Sequence, residues 1–273
     1  MFTVAALFKD ILEIVKNRAD ALDVLSFVLD IKYESLPLHM SDLVNPDKSH
    51  KISIVLEQLK KGVPVAYVTN RRHFFGREFY VNEDVLIPRH ETEILVEKAL
   101  EHVPVKNPRI LDLCTGSGCI LLSLLSELQG AVGVGVDNSE AALKVANINK
   151  HRLGLDERAS FVCADVLGEL NFQEKFDMVL CNPPYIAEQE YEKLEKSVLY
   201  EPVSALIAKD EGLAFYKKLI DIVPDLCNKN WVALFEIGTG QFNALHKVYS
   251  SFDHRFYCDL SGIKRVLFWK SLL

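Results

Sequence analysis

Ile110-Leu111-Asp112-Leu113-Cys114-Thr115-Gly116-Ser117-Gly118-Cys119 reads as an apolar strand entering a glycine-rich turn and then a helix. The periodicity on either side repeats that unit. A helix is expected over about residues 92–102, then the strand 109–113 and a helix over 119–128. A strand at 132–136, a helix at 141–151 and strands at 160–163 and 176–180 follow. Further on come a helix at 213–223, a strand at 231–237 and a closing pair of strands at 255–259 and 264–269. Alternating βα units of this size predict an α/β fold, a parallel sheet with helices on both faces.

The glycine turn alone is shared by dinucleotide and nucleotide binders. Gly116 and Gly118 let the backbone approach a ligand closely, and Asp112 is placed to meet an ammonium group. Asp137, at the tip of the next strand, suits ribose hydroxyls, which need acceptors; a dinucleotide enzyme uses the same acid. Asp165 follows Phe161-Val162-Cys163-Ala164, where a carboxylate can accept from an adenine amino group.

The fourth such strand end carries Asn182-Pro183-Pro184-Tyr185. This tetrapeptide suits the methylation of a planar nitrogen whose lone pair is delocalised. The Asn182 side-chain oxygen and the Pro183 carbonyl can both accept from one NH2 group, and proline fixes its own φ. Two fixed acceptors aim the nitrogen at an electrophilic methyl, and Tyr185 gives a flat face for a planar group. A proline-rich turn closing a strand is the bland alternative. With three acids at successive strand ends before it, the set reads as an S-adenosyl-L-methionine pocket beside a nitrogen-presenting loop.

Composition narrows the class. The 273 residues carry a net charge of −7, with 49% hydrophobic and 25% charged residues, ordinary for a soluble globular chain with room for one large and one small domain. That charge disfavours sequence-independent nucleic-acid binding, which needs many phosphate contacts; no stable nucleic-acid partner is expected. The apolar run 119–125 is too short to cross a bilayer, and no secretory signal is evident. The six cysteines form no Cys-x-x-Cys pair and read as reduced, mostly buried residues of a cytoplasmic protein. The eight histidines have no ligand spacing, so no metal is expected.

The first 72 residues read as helices: Ile52, Val55, Leu56 and Leu59 follow i, i+3, i+4, i+7, with Gly62 and Pro64 as the stop. Leu22, Leu25, Val28 and Leu29 suggest a second helix opened by Asp20. This segment, too small for catalysis, is expected to grip a substrate or partner. Residues 73–88 read as a β-hairpin linker, broken at Gly76 and turned at Asn82-Glu83-Asp84, and residues 89–273 as the catalytic domain.

Taken in order, these motifs resemble the HemK-type glutamine methyltransferases of peptide chain release factors. The resemblance runs from about Gly62 to Val266. It rests on Gly62-Val63-Pro64-Val65-Ala66-Tyr67, on Phe75-Gly76-x-x-Phe79, and on Val85-Leu86-Ile87-Pro88-Arg89 with Glu91-Thr92-Glu93. It continues through the glycine turn, Asn182 to Tyr185, Glu201-Pro202 with Ala205-Leu206, Glu236-Ile237-Gly238 with Gln241, and Asp259 with Gly262 and Arg265.

The resemblance implies a seven-stranded, mostly parallel, Rossmann-like class I methyltransferase domain behind a small helical N-terminal domain. The cofactor is then S-adenosyl-L-methionine, leaving as S-adenosyl-L-homocysteine. It is held by Cys114, Thr115, Gly116, Ser117, Gly118, Asp137, Asp165, Val166 and Asn182. Substrate contacts fall on Asn182, Pro183, Pro184 and Tyr185, with Asn182, Pro183 and Tyr185 as the catalytic set. The stretch from Pro88 to Glu93 packs near the cofactor, or Arg89 is a structural ion-pair partner. The partner is a class I release factor, through its Gly-Gly-Gln loop.

Cys114 stands at the first glycine position of many relatives, His90 replaces a common proline, and Asn70 replaces glycine. Asn70 and the Cys114–Cys119 stretch also occur in a sister family acting on a ribosomal protein. Glu91-Thr92-Glu93, Arg265 and the short N-terminal segment favour the release-factor branch. Rivals are the ribosomal-protein enzyme, an adenine amino-group methyltransferase of nucleic acid, which extrudes the base to reach it, and a non-catalytic binding module on the same scaffold.

Overall fold

The computed structural model describes residues 2–271, which divide into two compact units. The residues up to Arg71, with Glu195–Tyr200, form one. Its helices are α1 (Val4–Val15), α2 (Arg18–Leu29), α3 (Leu36–His39), α4 (Ser49–Lys61) and α5 (Val65–Thr69). Thr3 caps α1 by accepting from the Ala6 N–H, and Asn17 caps α2 by accepting from Ala19 and Asp20. The start of α2 is therefore fixed by Asn17 rather than by Asp20, because the asparagine oxygen reaches two otherwise unpaired N–H groups. Ile52, Val55 and Leu59 bury the inner face of α4 against Leu7, Ile11, Val24 and Leu25, with Leu56 packed at the edge. Gly62 ends α4 at φ 90°. The Tyr200 hydroxyl donates to the Lys61 carbonyl at 2.8 Å, tying Glu195–Tyr200 to this unit.

The second unit comprises Arg72–Leu194 and the described residues from Glu201 on. Strands β1 (Arg72–Phe74) and β2 (Arg77–Phe79) open it, so the hairpin belongs to this unit rather than linking two others. The hairpin turns at Phe75-Gly76, not at 82–84. Both turn residues have positive φ, 48° and 72°, the type I′ geometry that matches strand twist. Residues 82–85 form a separate turn, in which the Asp84 N–H donates to Asn82 Oδ1.

The main sheet is built from β3 (Arg109–Leu113), β4 (Val132–Asp137), β5 (Ala159–Cys163), β6 (Phe176–Cys181), β7 (Cys227–Glu236), β8 (His254–Cys258) and β9 (Lys264–Lys270). Among the described residues its seven strands run in the order β5-β4-β3-β6-β7-β9-β8, and β9 alone runs antiparallel to its neighbours. The helices are α6 (Glu93–Glu101), α7 (Cys119–Glu127), α8 (Glu140–Arg152), α9 (Ala214–Leu226) and α10 (Phe242–Val248).

Strand alternation divides the core between the two faces. Ile110, Met178, Leu180, Val232 and Leu234 pack with α6 and α7. Leu111, Leu113, Val179, Cys181, Ala233 and Phe235 pack with Tyr216 and Leu219 of α9 and Leu245 of α10. Residues Cys119 to Leu125 of α7 are all buried, because the helix lies on the sheet between α6 and α8.

The cysteines depart from the expectation of burial. Cys119, Cys181 and Cys227 are buried, Cys114 is intermediate, and Cys163 and Cys258 are exposed; all are free thiols. No helix among the described residues is long and apolar enough to cross a membrane.

Gly133 of β4 lies close under α7. A Cβ there would lie 2.4 Å from Leu121 Cδ1 and 3.1 Å from the Ile110 carbonyl. Gly133→Ala should lower unfolding stability by about 1–3 kcal/mol through overpacking. Urea titration of the two proteins measures the difference, and equal midpoints would contradict it.

Candidate active site

The strand order reverses between β3 and β6: the chain winds outward to β4 and β5, then returns to the other side of β3. Ligands of α/β sheets bind at such switch points, beyond the carboxyl ends of the strands. Leu113 pairs with Cys181, so the glycine turn and the Asn182 loop leave the sheet side by side. A cleft opens there, lined by residues of both loops.

Its floor is the glycine turn. Cys114, Gly116 and Gly118 have φ of 58°, 53° and 78°, left-handed backbone that disfavours a side chain. Cys114 thus stands where glycine would be least strained, and Asn70, at φ 53°, does the same at the end of α5. A Cβ on Gly116 would meet nothing within 4 Å, so this backbone is open to a ligand. Gly118 serves packing instead. Its added Cβ would lie 3.1–3.3 Å from Leu122, Phe161 and Ala146.

Acids hold the turn from behind. The Thr115 hydroxyl donates to Asp112 Oδ2 at 2.5 Å, and the Gly116 N–H to Asp137 Oδ2 at 2.9 Å. Asp137 Oδ1 accepts from the Ser139 N–H at 3.0 Å. Asp112 is wholly buried and does not reach the cleft, so it is not placed to meet a ligand's ammonium group. It lies under the turn because its strand position faces the helix rather than the opening. Burial pushes its carboxyl up to about 7, against the lowering effect of the Thr115 bond. Burial also raises Asp137, despite the backbone N–H groups of Gly116 and Ser139.

Cys114, Thr115, Gly116, Ser117, Asp137, Asp165, Val166, Asn182 and Pro184 line the cleft. Asp165 Oδ1 accepts from the Leu167 N–H at 2.9 Å, which orients it. Gly118, Pro183 and Tyr185 are not among the lining residues; Pro183 is buried and Tyr185 half-buried.

Tyr185 is locked from several directions. Its carbonyl accepts from the Gln241 side-chain amide at 3.2 Å, and Gln241 Oε1 accepts from the Gly238 N–H at 2.9 Å. A Cβ on Gly238 would lie 2.8 Å from the Tyr185 ring, and one on Gly212 would lie 2.2 Å from its carbonyl oxygen. Both glycines are therefore required by the close approach of this tyrosine. Burial pushes its phenol up to about 12.

A wall of the cleft is set by Glu201, buried, whose carboxylate accepts from the Ile87 N–H at 3.0 Å and from Arg89 Nη2 at 2.5 Å. Arg89 is thus both an ion-pair partner and a lining residue. Lining residues that the sequence alone does not mark include Ser139, Ala142, Ser204 and Phe215. They carry no motif, and only the folding of their loops brings them here. Asn182 Nδ2 donates to Thr92 Oγ1 at 3.4 Å. Burial pushes the carboxyl of Glu236 up to about 7, against the lowering effect of nearby Thr92. Among the described residues, no His, Cys, Asp and Glu cluster could hold a metal ion.

This sheet order, glycine turn and Asn-Pro-Pro-Tyr loop define a class I S-adenosylmethionine-dependent methyltransferase. The family model described as "Methyltransferase small domain" matches residues 90–209. Solved structures with the same fold include the hMettl16 catalytic domain, with a TM-score of 0.56 at 17% identity over 82% of each chain. The ribosomal protein L11 methylase of Lactobacillus delbrueckii subsp. bulgaricus gives 0.50 at 17% identity, over 70% of this chain and 84% of that one.

Sequence relatives are nearer. The release factor glutamine methyltransferase of Fusobacterium nucleatum subsp. nucleatum is 33% identical over 92% of this chain and 72% of its own length. That of Thermodesulfovibrio yellowstonii is 34% identical over 92% of this chain and 91% of its own. The chain belongs to the release factor glutamine methyltransferase family.

Asp112 yields a pH prediction. Its proton is retained to about pH 7 in the folded protein but lost near 3.8 in the unfolded chain. The folded state therefore binds more protons between these values, and stability falls as pH rises through that window. Asp112→Asn, which keeps an acceptor for Thr115 but does not titrate, should gain stability relative to wild type between pH 5 and pH 8. Urea unfolding at the two pH values checks this; a constant difference would contradict it.

Proposed function

We propose that this enzyme methylates the side-chain amide nitrogen of the glutamine in the Gly-Gly-Gln loop of class I peptide chain release factors. S-adenosyl-L-methionine is the methyl donor and S-adenosyl-L-homocysteine the by-product. The observation that carries the reading is the adjacency of the Asn182 loop to the glycine-turn cleft, at one switch point of the sheet. Family membership supports the substrate.

The residues present suit that cofactor. The turn at Gly116 is open to close approach, and Asp137 and Asp165 offer carboxylate acceptors for ribose hydroxyls and an adenine amino group. The remaining candidates fit as walls of the cleft, with Gly118 packed behind the turn. When bound, the cofactor supplies a methyl group already activated by its sulfonium.

The protein's part is orientation. An amide nitrogen is a poor nucleophile because its lone pair is delocalised into the carbonyl. Asn182 Oδ1 and the Pro183 carbonyl each accept one N–H of the substrate NH2, turning the nitrogen toward the donor. Two acceptors fix the group in a plane, whereas one leaves it free to rotate. Tyr185 does not line the cofactor cleft; with its carbonyl held by Gln241 and its ring against Gly238, it would meet the amide from the side of the loop away from the cofactor. No strong base is needed before attack, since the methylated nitrogen becomes acidic and releases its proton afterwards.

We assign the helical unit to gripping the protein substrate, and the setting to the cytoplasm, where translation terminates. Asn70 and Cys114, the departures shared with the ribosomal-protein branch, both occupy left-handed backbone. Local backbone conformation accounts for both residues, and the release-factor reading rests on family membership.

Mass spectrometry of an unmodified release factor, incubated with the enzyme and S-adenosylmethionine, tests the proposal. One added methyl on the Gly-Gly-Gln peptide is expected, and Asn182→Ala should slow its appearance by on the order of 10²-fold or more. An unmodified peptide beside confirmed cofactor binding would overturn the substrate. An Asn182→Ala rate within a few-fold of wild type would overturn the residue's role.

A further inference from the structure

We infer that Gln241 is a positioning residue for methyl transfer: its side-chain amide anchors the far end of the Asn182–Tyr185 loop and so aims the two acceptors that the loop presents. The inference rests on the reading of Asn182 and the Pro183 carbonyl as acceptors for the substrate NH2, and specifies what holds them in place.

A loop of this composition has few ways to be held. Its entry is fixed by strand register, since Cys181 of β6 pairs with Leu113 on one side and Phe235 on the other. Beyond that point Pro183 and Pro184 carry no N–H, and the Pro183 carbonyl is reserved for the substrate. The exit is fastened at Tyr185, whose carbonyl accepts from Gln241 Nε2 at 3.2 Å.

The amide of Gln241 can stand only one way round. Its Nε2 faces two backbone carbonyls, those of Tyr185 and Gly212, each at 3.2 Å. Its Oε1 faces the Gly238 N–H at 2.9 Å. Carbonyls only accept and a backbone N–H only donates, so reversing the amide would break all three bonds.

The backbone around this amide is shaped to receive it. Gly212 and Gly238 are buried, and a Cβ on them would lie 2.8 Å from Nε2 and 3.1 Å from Oε1 of Gln241. Gly212 also closes a run of three left-handed residues, with Asp210, Glu211 and Gly212 at φ 61°, 55° and 83°. Two successive non-glycine residues at positive φ are strained, and such strain is kept where a site needs the geometry it gives. Here the run brings the Gly212 carbonyl to Gln241. A side chain that merely filled space would need neither the glycines nor the run.

Gln241→Met nearly conserves side-chain length and volume and removes the hydrogen bonds; Gln241→Leu removes the same bonds with a shorter, branched chain. The assay is steady-state methylation of a purified release factor, with S-adenosylhomocysteine affinity and melting temperature measured on each protein. Each variant is expected to lower kcat by about 10- to 100-fold, the scale of a reacting group misplaced by about 1 Å. KM for the release factor and S-adenosylhomocysteine affinity should stay within about threefold of wild type, because Gln241 is not among the residues lining the cofactor cleft. The melting temperature identifies a variant that fails to fold, and the other then decides.

A folded variant with kcat within twofold of wild type would overturn the inference. So would a loss of kcat matched by an equal loss of S-adenosylhomocysteine affinity, because that pattern marks a general packing role. A wild-type enzyme that leaves the release factor unmodified overturns the substrate reading, and the inference with it. The wild-type control therefore separates the two failures.

Discussion

The parallel pairing of β3 with β6 is the constraint on which the rest depends. Leu113 lies opposite Cys181, and each strand ends one residue before a loop of unusual chemistry. Because parallel strands end at the same edge, Cys114 to Gly118 and Asn182 to Tyr185 emerge as neighbours although the 63 residues from Cys119 to Cys181 separate them. Slipping the register by one residue would send Leu180 and Cys181 to the wrong faces and exchange the two cores. The apolar alternation of β6, divided between two helix layers, therefore fixes the position of the Asn182 loop as well as the fold.

Around that edge the protein spends polar groups on rigidity. Asp112 and Asp137 brace the glycine turn from below, Gln241 clasps Tyr185, and Glu201 draws Ile87 and Arg89 together. Several of these carboxylates are buried, and Asp112 and Glu236 are pushed up to about 7 by that burial. Buried acids are poor investments for stability alone. They suit a site that must hold a weak nucleophile still, because orientation is most of what such a reaction asks of a protein.

The layered α/β architecture was legible because it rests on local periodicity. Ile110, Leu111 and Leu113 announce a strand buried on both faces, and the apolar run from Cys119 announces the enclosed helix. The Asn-Pro-Pro-Tyr loop was legible through its chemistry. Features that depend on three-dimensional neighbours were not. Asp112 looked exposed at a strand end, yet it points under the turn. The hairpin turn at Phe75-Gly76 was hidden because phenylalanine rarely adopts positive φ. Ser139, Ser204 and Phe215 carry no local signal, and loop folding alone brings them to the cleft. Glu236 and Gln241 stood out only within motifs shared with relatives; the reason for Gln241 became physical once Tyr185 was seen beside it.

The measurement that tests the central claim most directly is a crystal structure of the enzyme with S-adenosylhomocysteine and a Gly-Gly-Gln release-factor fragment. The account predicts the glutamine Nε2 within hydrogen-bonding distance, about 2.7–3.2 Å, of both Asn182 Oδ1 and the Pro183 carbonyl. The Tyr185 ring should lie against the amide, and the cofactor sulfur should sit over the glycine turn. A glutamine amide bound elsewhere, or one meeting Asn182 through its carbonyl oxygen, would contradict it.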